Sequence, residues 1–197
     1  MNFILPILIS YLLGSISFST IAAKVLKGID IRNHGSGNAG ATNALRVIGV
    51  GPGIAVLLLD VFKGILAVWI GEWFTPNELL VPVLCGLFVI AGHNWPVFFG
   101  FKGGKGIATT IGVAATIAFL PTLYAGLISI VFLIITRYVS LFSLLFSLLL
   151  PISVFIFSDA VEIFYLSIAI WLFAWFRHRS NIIRIIQGQE RKVGQKG

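Results

Sequence analysis

Long apolar runs alternate with short polar islands along the 197-residue chain. Many of the runs are long enough to cross a hydrocarbon core about 30 Å thick, which takes about 20 helical residues. The pattern predicts a first span over Phe3 to Ala23, a second over about Gly53 to Gly71 and a third over about Leu79 to Gly92. The run from Ile107 to Thr136 is too long for one helix, and Pro121 in its middle divides it into two short spans. A sixth span follows over about Val139 to Phe157 and a seventh over about Val161 to Phe176. The expected fold is all-α: a polytopic integral membrane protein of about seven transmembrane helices, with six the main alternative. The first run has no basic region ahead of its apolar stretch, so it reads as a retained helix rather than a cleaved signal. No linker, low-complexity block or internal repeat divides the chain, and residues 1–197 are expected to form a single membrane-embedded domain.

Composition agrees with this reading. The chain is 58% hydrophobic and 11% charged, with a mean hydropathy of +1.01, a combination soluble domains rarely show. Charge then orients the spans. Numbering the loops alternately puts all but one of the 14 basic residues on one side. Lys24, Lys27, Arg32 and Arg46 fall in the first loop of that set, Lys102 and Lys105 in the second, and Arg137 in the third. Arg177, Arg179, Arg184, Arg191, Lys192 and Lys196 follow the last span. The opposite loops hold Glu72, Glu78, Asp159 and Glu162 and no base. By the positive-inside rule the N-terminus lies outside and the C-terminus in the cytoplasm. The remaining base, Lys63, lies within a span one turn from Asp60, where an i,i+3 ion pair explains both. The net charge of +7 is thereby a matter of topology, and no nucleic-acid partner is expected. Cys85 is the single cysteine, which excludes an intramolecular disulfide and thiol-rich zinc motifs.

The polar islands carry the candidate chemistry. In "HGSGNAGATN", His34 to Asn43, ten residues pass without one large aliphatic side chain. Gly35 to Gly40 match G-x-G-x-x-G, but the dinucleotide reading needs a preceding buried strand and an acidic residue about 20 positions on. The preceding "LKGIDIRNH" is a weak strand at best, and Asp60 falls inside a span. What survives is the physics of the glycines: Gly35, Gly37 and Gly40 let backbone N–H groups approach an anion. Ser36, Asn38, Thr42 and Asn43 add donors, and Arg46 adds a cation. The competing reading is a flexible solvated turn.

The second island, "GHNWPVFFGFKGGKGIATT", contains "GGKG", yet it is no Walker A loop. Phe99 stands where that motif needs glycine, and Gly106 where it needs Ser or Thr. Gly103, Gly104 and Lys105 instead suit an anion nest ahead of the helix that opens at "IATT". His93 reads equally as an interfacial structural residue and as a substrate-binding one. In the third island, "WFRHRSNIIRIIQGQE", the basic residues are ordinary cytoplasmic anchors, while His178 and Asn181 share a helix face at i,i+3. A smaller feature, "RYVSLFS", repeats that spacing with Ser140 and Ser143 after Arg137.

All of these features fall on the predicted cytoplasmic face, where Asp30 and Glu190 are the only carboxylates. A Mg²⁺-dependent phosphotransferase would want several acidic oxygen ligands. Chemistry on an anionic substrate at the lipid interface, with no metal and no cofactor, is the reading that follows.

The residues "GSGNAGATNALR", "GHNWPVFFGFKGGKGIAT" and "RHRSNIIRIIQGQE", in that order among seven spans, resemble the three motifs of the bacterial acyl-phosphate:glycerol-3-phosphate acyltransferase family. The resemblance implies a multi-pass inner-membrane enzyme facing the cytoplasm. It would transfer the acyl group of acyl phosphate to glycerol 3-phosphate, giving lysophosphatidic acid in the first step of phospholipid synthesis. It makes Ser36, Asn38 and Arg46 active-site residues and associates Gly103, Gly104 and Lys105 with glycerol 3-phosphate. It also makes His178 and Asn181 functional and gives Glu190 a structural role. An acyl phosphate already carries a good leaving group, so no acyl-enzyme is required. The protein must juxtapose hydroxyl and carbonyl and stabilise developing charge. On this reading Arg46, Lys105 and His178 clamp phosphates and Ser36 and Asn38 orient them. A substrate phosphate oxygen takes the proton in preference to His178, which serves as a hydrogen-bond donor. Two rivals are less well served. A transporter of phosphorylated metabolites would place its polar groups near the bilayer midplane, and a metal-dependent phosphatidyltransferase would need more carboxylates.

Overall fold

A computed structural model of the chain describes residues 3–195; Lys196, counted among the bases above, lies outside them. Among the described residues there are helices and no strand. The helices are α1 (Ile4–Gly14), α2 (Phe18–Lys27), α3 (Ala41–Val47), α4 (Val50–Phe74), α5 (Leu80–Asn94), α6 (Ile107–Ile117), α7 (Phe119–Thr136), α8 (Val139–Phe157), α9 (Val161–Arg177) and α10 (Arg179–Ile186). The described residues form two compact units, one running to Ile117 and the other starting at Ala118.

Five stretches are long and apolar enough to cross a membrane: Ile4–Lys27, Val50–Phe74, Leu80–Phe99, Phe119–Thr136 and Val139–Phe157. The pair α9 and α10, bent by 61° at their junction, makes a sixth. The seventh expected span is α6, apolar but only 11 residues long, so it rises about 16 Å, half the hydrocarbon thickness. Lipid-facing surfaces are apolar as a bilayer requires: Val25, Trp73, Ile134 and Phe155 are among the most exposed side chains. Hydroxyls inside the helices donate to their own backbone, Ser10 to the Pro6 carbonyl (2.8 Å) and Ser129 to that of Ala125 (2.7 Å), so no polar group is left facing lipid at those turns.

Two boundaries differ from the sequence-based expectation. The run from Ile107 to Thr136 breaks at Ala118 rather than at Pro121. Pro121 sits in the first turn of α7, where the amide hydrogen it lacks has no intrahelical partner to lose. The first span, expected to be continuous, breaks at Ser15–Ser17 between α1 and α2. The break frees the carbonyls of Gly14 and Ile16, and both accept from the ammonium of Lys63 (3.1 and 3.0 Å). Lys63 is 1% exposed and also pairs with Asp60 at 2.8 Å, the expected i,i+3 bridge.

In the first unit α1 packs on α5, and α4 packs on α5 and α6. Small residues set these distances: a Cβ on Gly14 would strike the Val89 carbonyl, and one on Gly112 the Val61 carbonyl. Beneath the first polar island lies a small apolar core of Ala23, Ile31, Ala39, Ala44, Ile48 and Val56. In the second unit α8 packs between α7 and α9, and α10 returns against α9.

Candidate active site

The first island is a loop held from inside by one amide. Asn43, 1% exposed, lies near the start of α3. Its Oδ1 accepts from the Ser36 N–H (2.9 Å), and its Nδ2 donates to the carbonyls of His34 (3.0 Å) and Ile31 (3.3 Å). Gly35 takes a positive φ of +64°, and a Cβ there would strike that same Asn43 oxygen, so only glycine fits the turn. The donors expected on Asn43 are therefore engaged with the loop backbone, and the residue shapes the loop. Ser36 and Arg46 are exposed, Asn38 and Thr42 half-buried. Gly40 precedes α3 in extended conformation.

Arg32, which the sequence reading counts only as a topological charge, ties this loop to the second island. Its guanidinium donates to the Phe99 carbonyl (2.7 Å) and pairs with Asp30 (2.7 Å). The hydrogen bonds from the Arg32 side chain and backbone bring the Asp30 pKa down from 3.8 to about 2.

The second island folds back over the end of α5. Gly104 donates its N–H to the His93 carbonyl (3.0 Å). A Cβ on Gly104 would collide with His93 Nε2 and come within 2.8 Å of the Ala39 carbonyl oxygen. A Cβ on Gly103 would strike the His93 carbonyl and lie 2.5 Å from Pro96. Both glycines thus permit the close approach that puts Lys105 next to the first loop. His93, 6% exposed, faces inward with Nδ1 3.4 Å from Asp60 Oδ1; of its two sequence-based readings, the geometry favours the structural one. Lys105 is half-buried and leads into α6 two residues later.

In the second unit His178 lies at the junction of α9 and α10 and is 3% exposed. Its Nδ1 is 2.8 Å from the Ala174 carbonyl. A carbonyl only accepts, so Nδ1 carries a proton and, in the neutral ring, Nε2 is the acceptor. In this tautomer Nε2 takes the acceptor's part rather than the donor's part expected of His178. The Asn181 amide nitrogen donates to Glu190 Oε1 (2.7 Å), and Arg184 Nε donates to Oε2 (2.8 Å). Burial works against ionisation of Glu190, but Arg184, Asn181 and Ser140 outweigh it and hold its pKa below the ordinary value. Ser140, 5% exposed, acts there from outside ideal hydrogen-bond geometry. Ser143 donates to the Val139 carbonyl of its own helix (2.9 Å). Arg137 ends α7 at a positive φ of 62° and exchanges hydrogen bonds with Val193, pinning the C-terminal segment.

Among the described residues no three His, Cys, Asp or Glu side chains cluster as a metal site. Within the first unit the geometry is a pair of glycine-rich polar loops that meet at Gly104 and Ala39, with Lys105 next to Gly104 and Arg46 on α3, built on a membrane helix bundle. A family model described as glycerol-3-phosphate acyltransferase matches residues 4–188. The chain belongs to the glycerol-3-phosphate acyltransferase family. It is a multi-pass bacterial membrane acyltransferase. The enzyme of that name from Shouchella clausii is 52% identical, over 99% of this chain and 98% of its own. The one from Halalkalibacterium halodurans is 51% identical, over 95% and 93%. Crystal structures of PlsY, an integral membrane glycerol 3-phosphate acyltransferase, superpose with TM-scores of 0.93 for the glycerol 3-phosphate form and 0.90 for the lysophosphatidic acid form. They are 37% and 36% identical to this acyltransferase, each over 98% of this chain and 96% of the other.

Proposed function

We propose that the protein transfers the acyl group of acyl phosphate to glycerol 3-phosphate, giving lysophosphatidic acid and inorganic phosphate. The hydroxyl oxygen of glycerol 3-phosphate attacks the acyl carbonyl carbon, the bond from that carbon to the phosphate oxygen breaks, and the hydroxyl proton ends on the departing phosphate. The observation that carries the reading is the approach of the Gly103–Gly104–Lys105 turn to the Ala39 carbonyl, with Gly104 against both His93 and the first loop. It supports a phosphate-binding role for Lys105 and the loop's backbone donors, with Arg46 as a second cation and Ser36 and Asn38 orienting the phosphate. His178 acts as an acceptor that orients the attacking hydroxyl, and Asn181, braced by Glu190, serves beside it. Asn43 and Glu190 hold these groups rather than touch substrate. Ser140 joins the binding set of the second unit, while Ser143, which donates to the Val139 carbonyl, supports it from within α8. The charge asymmetry of the loops supports an inner-membrane enzyme with a cytoplasmic active site and an outside N-terminus, in one functional domain of seven membrane segments.

Among the described residues no His, Cys, Asp or Glu cluster could hold a metal ion, which supports a metal-free reaction, and the activated acyl phosphate leaves no step that calls for another cofactor. The test is direct: purified protein is incubated with acyl phosphate and glycerol 3-phosphate under EDTA, and lysophosphatidic acid is measured. Activity should survive the chelator, and acyl-CoA should not replace acyl phosphate. Loss of activity restored by Mg²⁺ would overturn the metal-free mechanism, and equal turnover with acyl-CoA would overturn the donor.

A further inference from the structure

We infer that the buried cluster Asp60–Lys63–His93 is a positioning device for the second glycine island, acting through the His93 ring on Gly104 and so on Lys105. One carboxylate oxygen, Asp60 Oδ1, faces both Lys63 Nζ at 2.8 Å and His93 Nδ1 at 3.4 Å. All three residues are almost wholly removed from solvent. The far edge of the same ring abuts Gly104, closely enough that a Cβ there would collide with Nε2. The His93 carbonyl also accepts the Gly104 N–H. Gly104 is thus gripped from below by one residue whose ring faces a carboxylate one helix away.

Beyond the carbonyls that Lys63 satisfies, stability gives only a weak reason for such a pair, because a buried ion pair is often matched or bettered by apolar residues of similar volume. An ionisable cluster inside a span points to function. Lys63 completes the device by anchoring Asp60 to the carbonyls freed at the α1–α2 break. The inference rests on the reading that Lys105 binds the phosphate of glycerol 3-phosphate.

The decisive variant is Asp60→Asn/Lys63→Met, which removes both charges and leaves neither buried alone. Purified in detergent, it should be monodisperse. Its KM for glycerol 3-phosphate should rise about tenfold to a hundredfold, while kcat at saturation and KM for acyl phosphate stay within about twofold of wild type. His93→Gln should raise the same KM, and adding it to the double variant should produce little further rise, since both act through one contact. Wild-type KM in the double variant would overturn the proposal. So would equal losses in every kinetic constant, or failure to purify folded, since either assigns the cluster to folding. Lys105→Ala separates the two layers. If it leaves the KM for glycerol 3-phosphate unchanged, the phosphate-binding reading fails; if it raises that KM and the double variant does not, only the positioning role fails.

Discussion

Gly104→Ala adds one methyl group where the structure has no room for it. The new carbon would sit 2.8 Å from the Ala39 carbonyl oxygen and closer still to His93 Nε2. Neither neighbour is the loose end of a flexible side chain. The first is backbone in a loop held by Asn43, and the second is a buried ring against Asp60. Restoring ordinary van der Waals contact to the carbonyl alone requires a shift of roughly 0.6 Å, and the ring demands more. Overpacking of this kind costs about 1–3 kcal/mol, which a protein stable by about 5–15 kcal/mol survives. The displaced turn carries Lys105, however, and a misplacement of about 1 Å at a reacting centre costs up to about 10²-fold in rate. The variant should therefore purify folded, with a slightly lower Tm and kcat/KM for glycerol 3-phosphate down by about one to two orders of magnitude. Gly126→Ala is the control: it lies inside α7 with nothing within 4 Å of the new carbon, and helix propensity favours the change slightly. A Gly104→Ala enzyme with wild-type kcat/KM would show that the approach of the two islands has no bearing on catalysis.

Three further outcomes follow from the same geometry. Lys105→Ala should lose activity severely while remaining extractable and folded, and Lys105→Arg should recover it only in part because the forked guanidinium is bulkier than an ammonium; wild-type turnover by Lys105→Ala removes it from the site. His178→Gln, which offers an amide oxygen in place of Nε2, should keep much of the rate while His178→Ala does not. A Gln variant as inactive as Ala, down by about 10²–10⁴-fold and without a histidine-like limb in the pH profile, would make His178 the general base. Because the Asp30 pKa is depressed from 3.8 to about 2, the stability it contributes is present above pH 3.8 and lost as pH falls through about 2. The Tm difference between wild type and Asp30→Asn should accordingly hold steady from pH 7 to 4 and close below that range; a difference that closes near pH 6 refutes the assignment.

Much of the helical framework is legible from hydrophobicity alone, because lipid leaves the chain few choices. The span expected over Val139 to Phe157 is α8 to the residue, since Arg137 and Tyr138 on one side and Ser158 and Asp159 on the other end the apolar run. The break at Ser15–Ser17 is not legible locally, because small hydroxyl residues are tolerated inside a membrane helix. Its cause lies 47 residues away, where Lys63 donates to the carbonyl of Ile16. There is a signal in hindsight: a lysine in a span has three protons to place, and Asp60 Oδ1 takes only one of them. A second acceptor had to come from exposed backbone, and exposed backbone at membrane depth means a broken helix.

The polar islands show the complementary limit. Sequence marks a stretch as polar without saying which way each side chain turns. Asn38, Asn43, His93 and Ser143 all look like candidates to meet a substrate. Yet Asn43 is committed to the Ser36 N–H and two carbonyls, His93 faces Asp60, and Ser143 donates within α8. These inward groups are what give the outward ones fixed positions. A glycine loop solvated on both sides would have to be ordered at each turnover, whereas one tied at Ile31, His34 and Ser36 by a single buried amide is already ordered before substrate arrives. Donors fixed in advance stabilise developing charge without reorganising, which is where most electrostatic catalysis comes from. With the proposed acyl-phosphate donor, whose leaving group is already activated, the protein has little covalent chemistry to supply. On the proposed mechanism, the arrangement of Asn43, Arg32 and His93 beneath the two loops accordingly matters to the rate alongside the cations Arg46 and Lys105 that sequence motifs bring to notice first.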